Sequence, residues 1–490
     1  METGQDTARS LAEKYLARID ALDRQGPSVR SILEINPDAL TIADRLDAER
    51  KTRGPRGPLH GIPIVIKDNI ATADRMMTTA GSLALVGVKP PKDAFIVTRL
   101  RNAGAVILGK TNLSEWANFR SSRSSSGWSA RGGQTRNPYA LDRSPSGSSS
   151  GSAVAVATNF AAAAVGTETS GSIVSPSQAN SVVGIKPTVG LLSRTGIIPV
   201  AHTQDTPGPI ARTVADAAAL LDAMAGADPD DVATIPQAGA NGYTKSFDRA
   251  GLKGARIGIV RKRLFGNSVE TDRVAEAAIA VMKARGAVIV DPTDLPTLGT
   301  FDDAELDVLL YEFKADLNRY LAWLGPASPV HSLKDVIAFN NAHRDEELPY
   351  FGQELFMLAE DKGPLTDPTY TRARVDAWGY AGTYGIDGVM AKYRLDALVA
   401  LTAGPAGLID LGKGDNRSAF LPGLSGIAAV AGYPHITVPA GYIRGLPVGM
   451  SFVGRAWSEA TLIKLAYAYE QATKHRRPPT FAPTAQASQR

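Results

Sequence analysis

The succession "IPIVIKDNI", "DAFIVTRLRNAG" and "AVILGKT", within residues 62 to 111, constrains the fold more than any other feature. The first and third are apolar runs of strand length. The second has apolar residues spaced by three and four, the period of a half-buried helix. Asp93 stands where an N-cap is expected and Gly104 where the helix should stop. A second such unit follows in "ARIGIV", "TDRVAEAAIAVMKARG" and "AVIVD". Strand and helix that alternate in this way favour an α/β layer fold.

The remaining elements agree with that class. Residues 8–50 read as helices, and "TRGPRGPLHGIP" is a cluster of breakers. "SAVAVATNF" reads as a helix and "AAAAVG" as a short strand. "TVADAAALLDAMAG", after Arg212, and residues 304–324 read as helices. "HITVPAGY" and "LPVGMSFVG" flank a turn at Arg444-Gly445, which suggests a hairpin. Ser458 is the expected N-cap of a closing helix. The echo of "AGAVILG" in "RGAVIVD" is no repeat array. With 490 residues, 44% of them hydrophobic, the chain has ample material for a core.

Charge and composition exclude several classes. The net charge of +4 is spread along the chain, and no basic stripe is interleaved with aromatics, so no nucleic-acid partner is expected. No apolar stretch reaches the length of a membrane span, so no membrane association is expected. The absence of cysteine removes disulfides, thiol nucleophiles and iron–sulfur clusters. The first twenty residues lack the apolar core of a signal peptide. The expectation is a cytoplasmic protein, or a periplasmic or secreted one where a leader has been removed.

Three chemistries compete. "GAVILGKT", Gly104 to Thr111, matches a phosphate-binding loop in letters. Its four variable positions are Ala, Val, Ile and Leu, which favour a buried strand over a loop of exposed N–H groups. "GSSSG", Gly147 to Gly151, matches a nucleophile elbow centred on Ser149. No strand precedes it, and none of the later histidines has a compelling context. The third reading joins Lys67, at the end of an apolar strand, with Ser148 and Ser172 in two Gly/Ser loops. In "GTETSGSIVSPS" the N–H groups of Thr169, Ser170, Gly171 and Ser172 would gather at a helix start, which suits an anion. Each piece also has a plain structural reading: Lys67 could snorkel from a strand end, and the serine loops could be turns.

"PLHGIPIVIKDNI", "GKTNLSEWANF", "GGQTRNP", "SPSGSSSGSAVAVA" and "GTETSGSIVSPSQANSVVGIKPTVG" together resemble the amidase signature family, densely over about residues 60–215. The resemblance implies a Ser-Ser-Lys triad of Lys67, Ser148 and Ser172, an oxyanion site from the N–H groups of residues 169–172, and a cis peptide bond between Gly147 and Ser148. It implies an amide hydrolase that works through an acyl-enzyme, without metal or cofactor. The implied fold is an α/β/α sandwich around a large mixed, largely parallel sheet. Residues 1–60 are then a helical arm packed on the core, and 61–490 a single catalytic domain. Residues 325–375 and "TAGPAGLIDLGKGDN" are expected to shape the rim of the substrate pocket.

Glu168, Ser170 and Val174 depart from the Asp, Gly and Arg common in the family. With "LLYEFKADLNRYL" and "AYAYEQATKHRRPP" they resemble the peptide amidase branch, which implies C-terminal peptide amides as substrates. A broader aliphatic or aryl amidase or a urethanase, a glutamine-amidotransferase component, and an inactive binding protein are the alternatives. The substrate is expected to be a small-molecule or peptide amide.

Overall fold

The computed structural model describes residues 1, 4–237, 242–415 and 423–487. Its strands, in chain order, are β1 (Ile32–Ile35), β2 (Pro63–Lys67), β3 (Val106–Thr111), β4 (Trp128–Ser129), β5 (Gly133–Gln134), β6 (Ala163–Glu168), β7 (Val183–Lys186), β8 (Thr206–Ala211), β9 (Arg256–Ile259), β10 (Val288–Val290), β11 (Ala397–Leu401), β12 (His435–Ile443) and β13 (Leu446–Val453). Apart from the small β4–β5 ribbon, they form one 11-stranded sheet in the order β1-β3-β2-β6-β8-β7-β12-β13-β11-β9-β10. The sheet is mixed, as expected. Parallel pairing is confined to β3-β2-β6 and β11-β9-β10, and the pairings elsewhere are antiparallel. The two strand–helix–strand units seen in the sequence supply the parallel blocks; the hairpin β12–β13 and its neighbours supply antiparallel pairs that apolar runs alone do not disclose.

Side-chain alternation builds two cores from each central strand. Ile64 and Ile66 of β2 join Ile107, Val165 and the helices Phe95–Asn102, Val214–Met224 and Glu459–Thr473 on one face. Val65 joins Val106, Leu108, Ala164 and the helices Ala8–Ile19, Ala39–Arg53 and Ser150–Ala157 on the other. Within residues 1–60 the chain is not helical throughout: β1 adds an antiparallel edge strand to β3.

Several local expectations are corrected. Asp93 does not cap the helix that starts at Phe95: its carboxylate accepts from the Ala73 N–H and from Arg101. Ser458 occupies the cap position, yet its hydroxyl donates to the Arg455 carbonyl. Residues 325–375, expected at the pocket rim, are largely helical. They contain helices Leu333–Ala342, Arg344–Glu347 and Glu354–Glu360 and the start of Pro368–Trp378, in part packed around the long helix Asp302–Leu324. Of "TAGPAGLIDLGKGDN", the final Asn416 lies outside the described residues.

Candidate active site

β2 and β6 are neighbouring parallel strands inside the sheet, so both end at the same edge. That edge is where open α/β sheets bind their ligands. Lys67 is the last residue of β2 and is fully buried. Its Nζ donates to Ser148 Oγ at 2.7 Å, Thr167 Oγ1 at 2.9 Å and the Thr167 carbonyl at 3.2 Å. Three acceptors match the three donors of an ammonium group, yet no carboxylate forms an ion pair with it among the described residues. Burial therefore pulls the Lys67 pKa down from 10.5 to about 7, against the opposing charges of Asp205 and Glu168.

Ser148 sits in the loop that feeds the buried helix Ser150–Ala157. The Gly147–Ser148 peptide bond is cis, and the Ser148 carbonyl accepts from the Ser114 N–H. A Cβ at Gly147 would fall 2.2 Å from Ser114 Oγ and 3.0 Å from Ser126 Oγ, so this turn has no room for a side chain.

Ser172 lies between β6 and the short helix Val174–Ala179. Its carbonyl accepts from the Ser149 N–H at 3.1 Å, which ties the two serine loops together. Its Oγ has no hydrogen-bond partner among the described residues, and no bond runs from Ser148 Oγ to Ser172 Oγ. Lys67 and Ser148 are thus directly joined; Ser172 is brought alongside by its backbone.

Glu168 organises the loop and corrects one expectation. It is fully buried, and its carboxylate accepts from the N–H groups of Gly171 at 2.9 Å, Ile173 at 2.7 Å and Val174 at 3.1 Å. The Gly171 N–H is therefore not free for an oxyanion. Those of Thr169, Ser170 and Ser172 have no hydrogen-bond partner among the described residues. Burial pushes the Glu168 carboxyl up, while Lys186 and the three N–H groups pull it down. Val174 is buried and Ser170 exposed.

The competing motifs resolve into structural roles. Lys110 is a buried strand residue whose Nζ donates to the Ile70 carbonyl and Thr78 Oγ1. Ser149 Oγ donates to the Thr167 carbonyl and accepts from its N–H. It pins β6 to the loop and is fully buried.

Four groups around the nucleophile loop escape sequence reasoning. Thr167, a partner of Lys67, is visible in "GTETSGS" but nothing local assigns it a role. Asn69 donates to Thr167 Oγ1 at 3.0 Å. Gln204 donates to the Thr169 carbonyl at 3.3 Å and to Glu305 at 3.0 Å. Asp205 accepts from Thr169 Oγ1 at 2.6 Å. The last two lie far from the loop in sequence and have no local signature. His202 has no compelling context in the sequence, yet its Nδ1 lies 2.8 Å from Asp316 and 3.4 Å from Glu312. This is the one group among the described residues that could bring three ligand atoms to a metal ion. Its carboxylates already accept from Thr203, Tyr370 and Arg319.

Two cavities flank this region. One, of about 610 Å³, is bordered by Asn69, Thr167, Thr169 and Asp205. The other, of about 810 Å³, runs from Gln204 along Val375, Trp378, Tyr433 and Trp457. Among the described residues, no helix is long and apolar enough to cross a membrane.

Comparison with known proteins places this geometry in context. Residues 10–463 match the Amidase family. The chain is 54% identical to the crystallised native peptide amidase of Stenotrophomonas maltophilia, with a TM-score of 0.93 over 98% of this chain and 96% of that one. It is 43% identical to a protein of Arabidopsis thaliana named "probable amidase", over 97% of this chain and 88% of that protein. It is 34% identical to a glutamyl-tRNA(Gln) amidotransferase component of a Synechococcus species, over 99% and 93% respectively.

Proposed function

The chain belongs to the amidase family and is an amide-hydrolysing enzyme, and on that premise we propose that it removes the C-terminal amide of peptides by acyl transfer to Ser172. The observation that carries the proposal is the buried Lys67, 2.7 Å from Ser148 and lowered to about 7. A lysine that loses its proton near neutrality is a base; an ordinary one is not.

The chemistry then runs through three side chains. Neutral Lys67 takes the hydroxyl proton of Ser148, and Ser148 takes that of Ser172. The second transfer needs the Ser172 hydroxyl to turn onto Ser148, a contact of the kind that often forms only with substrate bound. Ser172 Oγ attacks the amide carbonyl carbon. The N–H groups of Thr169, Ser170 and Ser172, without a partner among the described residues, suit the developing oxyanion. Ser148 returns a proton to the nitrogen as the C–N bond breaks, and ammonia leaves. Water, deprotonated through the same relay, attacks the acyl-Ser172 ester and releases the carboxylic acid.

Two features support peptide amides over other amides. One is the 54% identity to a peptide amidase. The other is the cleft that begins at Gln204 and carries half-exposed Trp378 and Trp457 on its wall, which offers apolar surface to a peptide chain. The test is mass spectrometry of a panel of peptide amides, glutamine, fatty amides and aryl amides. Conversion of –CONH2 to –COOH at the peptide C-terminus, with ammonia released in equal amount, is expected. Turnover of aryl or fatty amides with peptide amides untouched would overturn the substrate assignment. The kinship with glutamyl-tRNA(Gln) amidotransferases favours a second reading, an ammonia-supplying component of a larger assembly; unaided ammonia release from a peptide amide by the pure chain separates the two.

A further inference from the structure

Thr169 is held from two sides by consecutive residues that lie more than thirty positions away. Its hydroxyl donates to Asp205 Oδ1 at 2.6 Å, and its carbonyl accepts from Gln204 at 3.3 Å. Asp205 is itself anchored: Oδ2 accepts from the Val200 N–H at 2.8 Å and the Ala201 N–H at 3.0 Å. It forms no ion pair with any cation among the described residues. The side chain and carbonyl of Thr169 are thus both engaged, while its N–H is left without a partner among the described residues. That is the arrangement a preorganised oxyanion donor needs.

We infer that Asp205 is a positioning residue of the acylation centre: it fixes Thr169 in the oxyanion loop and acts on Lys67 by its negative charge. The inference rests on the catalytic reading above. Asp205 borders the same cavity as Thr167, whose hydroxyl and carbonyl both receive Lys67. The other charged groups around the pair are engaged on each element. Glu168 on β6 acts on Lys67 in the same sense as Asp205. Lys110 on β3 is turned to Ile70 and Thr78. Asp68, next to Lys67, bonds with Thr79 and Arg131. Asp316, from the helix Asp302–Leu324, acts on Asp205 and is itself bonded to His202 and Arg319. Arg194 is paired with Asp231. Asp205 is pushed up by burial to about 6, so it carries its charge where Lys67 titrates.

The two effects separate by mutation. Thr169→Val removes the clamp and one of the hydrogen bonds that keep Asp205 ionised, and leaves those from the Val200 and Ala201 N–H groups. Asp205→Asn keeps a polar partner for Thr169 and removes the charge. Asp205→Ala removes both. The measurement is kcat and KM against pH for the full chain, on whichever amide the wild type hydrolyses. For Thr169→Val we expect kcat to fall about tenfold or more, a modest fraction of what losing an oxyanion donor costs, with the acid limb of the profile unmoved. For Asp205→Asn we expect the acid limb to move lower by about one unit or more, since even a charge about 12 Å away shifts a pKa by about one unit at an effective dielectric of about 20. A residue that merely held the fold would not move that limb. The inference is overturned if the Asp205→Asn limb coincides with the wild-type limb, or if Thr169→Val retains wild-type kcat. Where Asp205→Ala fails to fold, the two isosteric variants carry the test. Ser172→Ala is measured alongside: turnover by it would remove the catalytic reading as well, so the two failures are distinguishable.

Discussion

Replacing Lys67 by arginine keeps a positive charge at the end of β2 but removes the ability to become neutral at working pH. Free lysine titrates near 10.5, whereas burial brings Lys67 to about 7. A difference of that size corresponds to about 5 kcal/mol against the charged form. It raises the neutral fraction at pH 7 from roughly one part in three thousand to about one half. Only the neutral form can accept the Ser148 proton across the 2.7 Å contact. Wild-type kcat/KM should therefore rise with unit slope at acid pH, bend near pH 7 and hold into the alkaline range. Lys67→Arg and Lys67→Ala should both fall by about 10²–10⁴, the usual contribution of general base catalysis, and both should lose the acid limb. The assay is ammonia release from one peptide amide across the pH range, with circular dichroism as the control for folding. Substantial turnover by Lys67→Arg at neutral pH, or a wild-type limb centred near the ordinary lysine value, would refute the general-base role.

Other outcomes follow from the same geometry. Ser172→Ala should be folded and almost inactive, and trapping with a slow ester should acylate the wild type but not the variant, as read by intact mass. Gly147→Ala should lower stability by about 1–3 kcal/mol, the usual scale of overpacking, because its Cβ would meet Ser114 and Ser126; a denaturant midpoint equal to wild type would contradict this. Exhaustive dialysis against EDTA should leave activity intact, and a loss restored by a divalent ion would direct attention to His202, Glu312 and Asp316. Trp378→Ala should raise KM several-fold for long peptide amides and leave a single amino-acid amide little affected, since hot-spot aromatics carry binding energy only for what covers them; equal effects on both would place the peptide elsewhere.

The local period of the chain announces many elements: Ile64, Val65 and Ile66 read as a short buried strand, and Leu100 and Val97 as one face of a helix. The motif "GTETSGS" and the paired serine loops by themselves also read as turns; only the resemblance to the amidase signature family joins them with Lys67 into one site. What the sequence by itself could not settle is decided by contacts between distant segments. Lys67 meets Ser148 across 81 positions and Thr167 across 100. Which strands run antiparallel depends on pairings such as β7 with β12, which bring together residues near 185 and 436. The competition for the loop's N–H groups is also invisible in the sequence: Glu168 claims Gly171, Ile173 and Val174, and leaves Thr169, Ser170 and Ser172 free among the described residues. Apolar period is a local property of the chain, whereas the burial that lowers Lys67 and the hydrogen bonds that allocate each donor exist only once the sheet has closed around them.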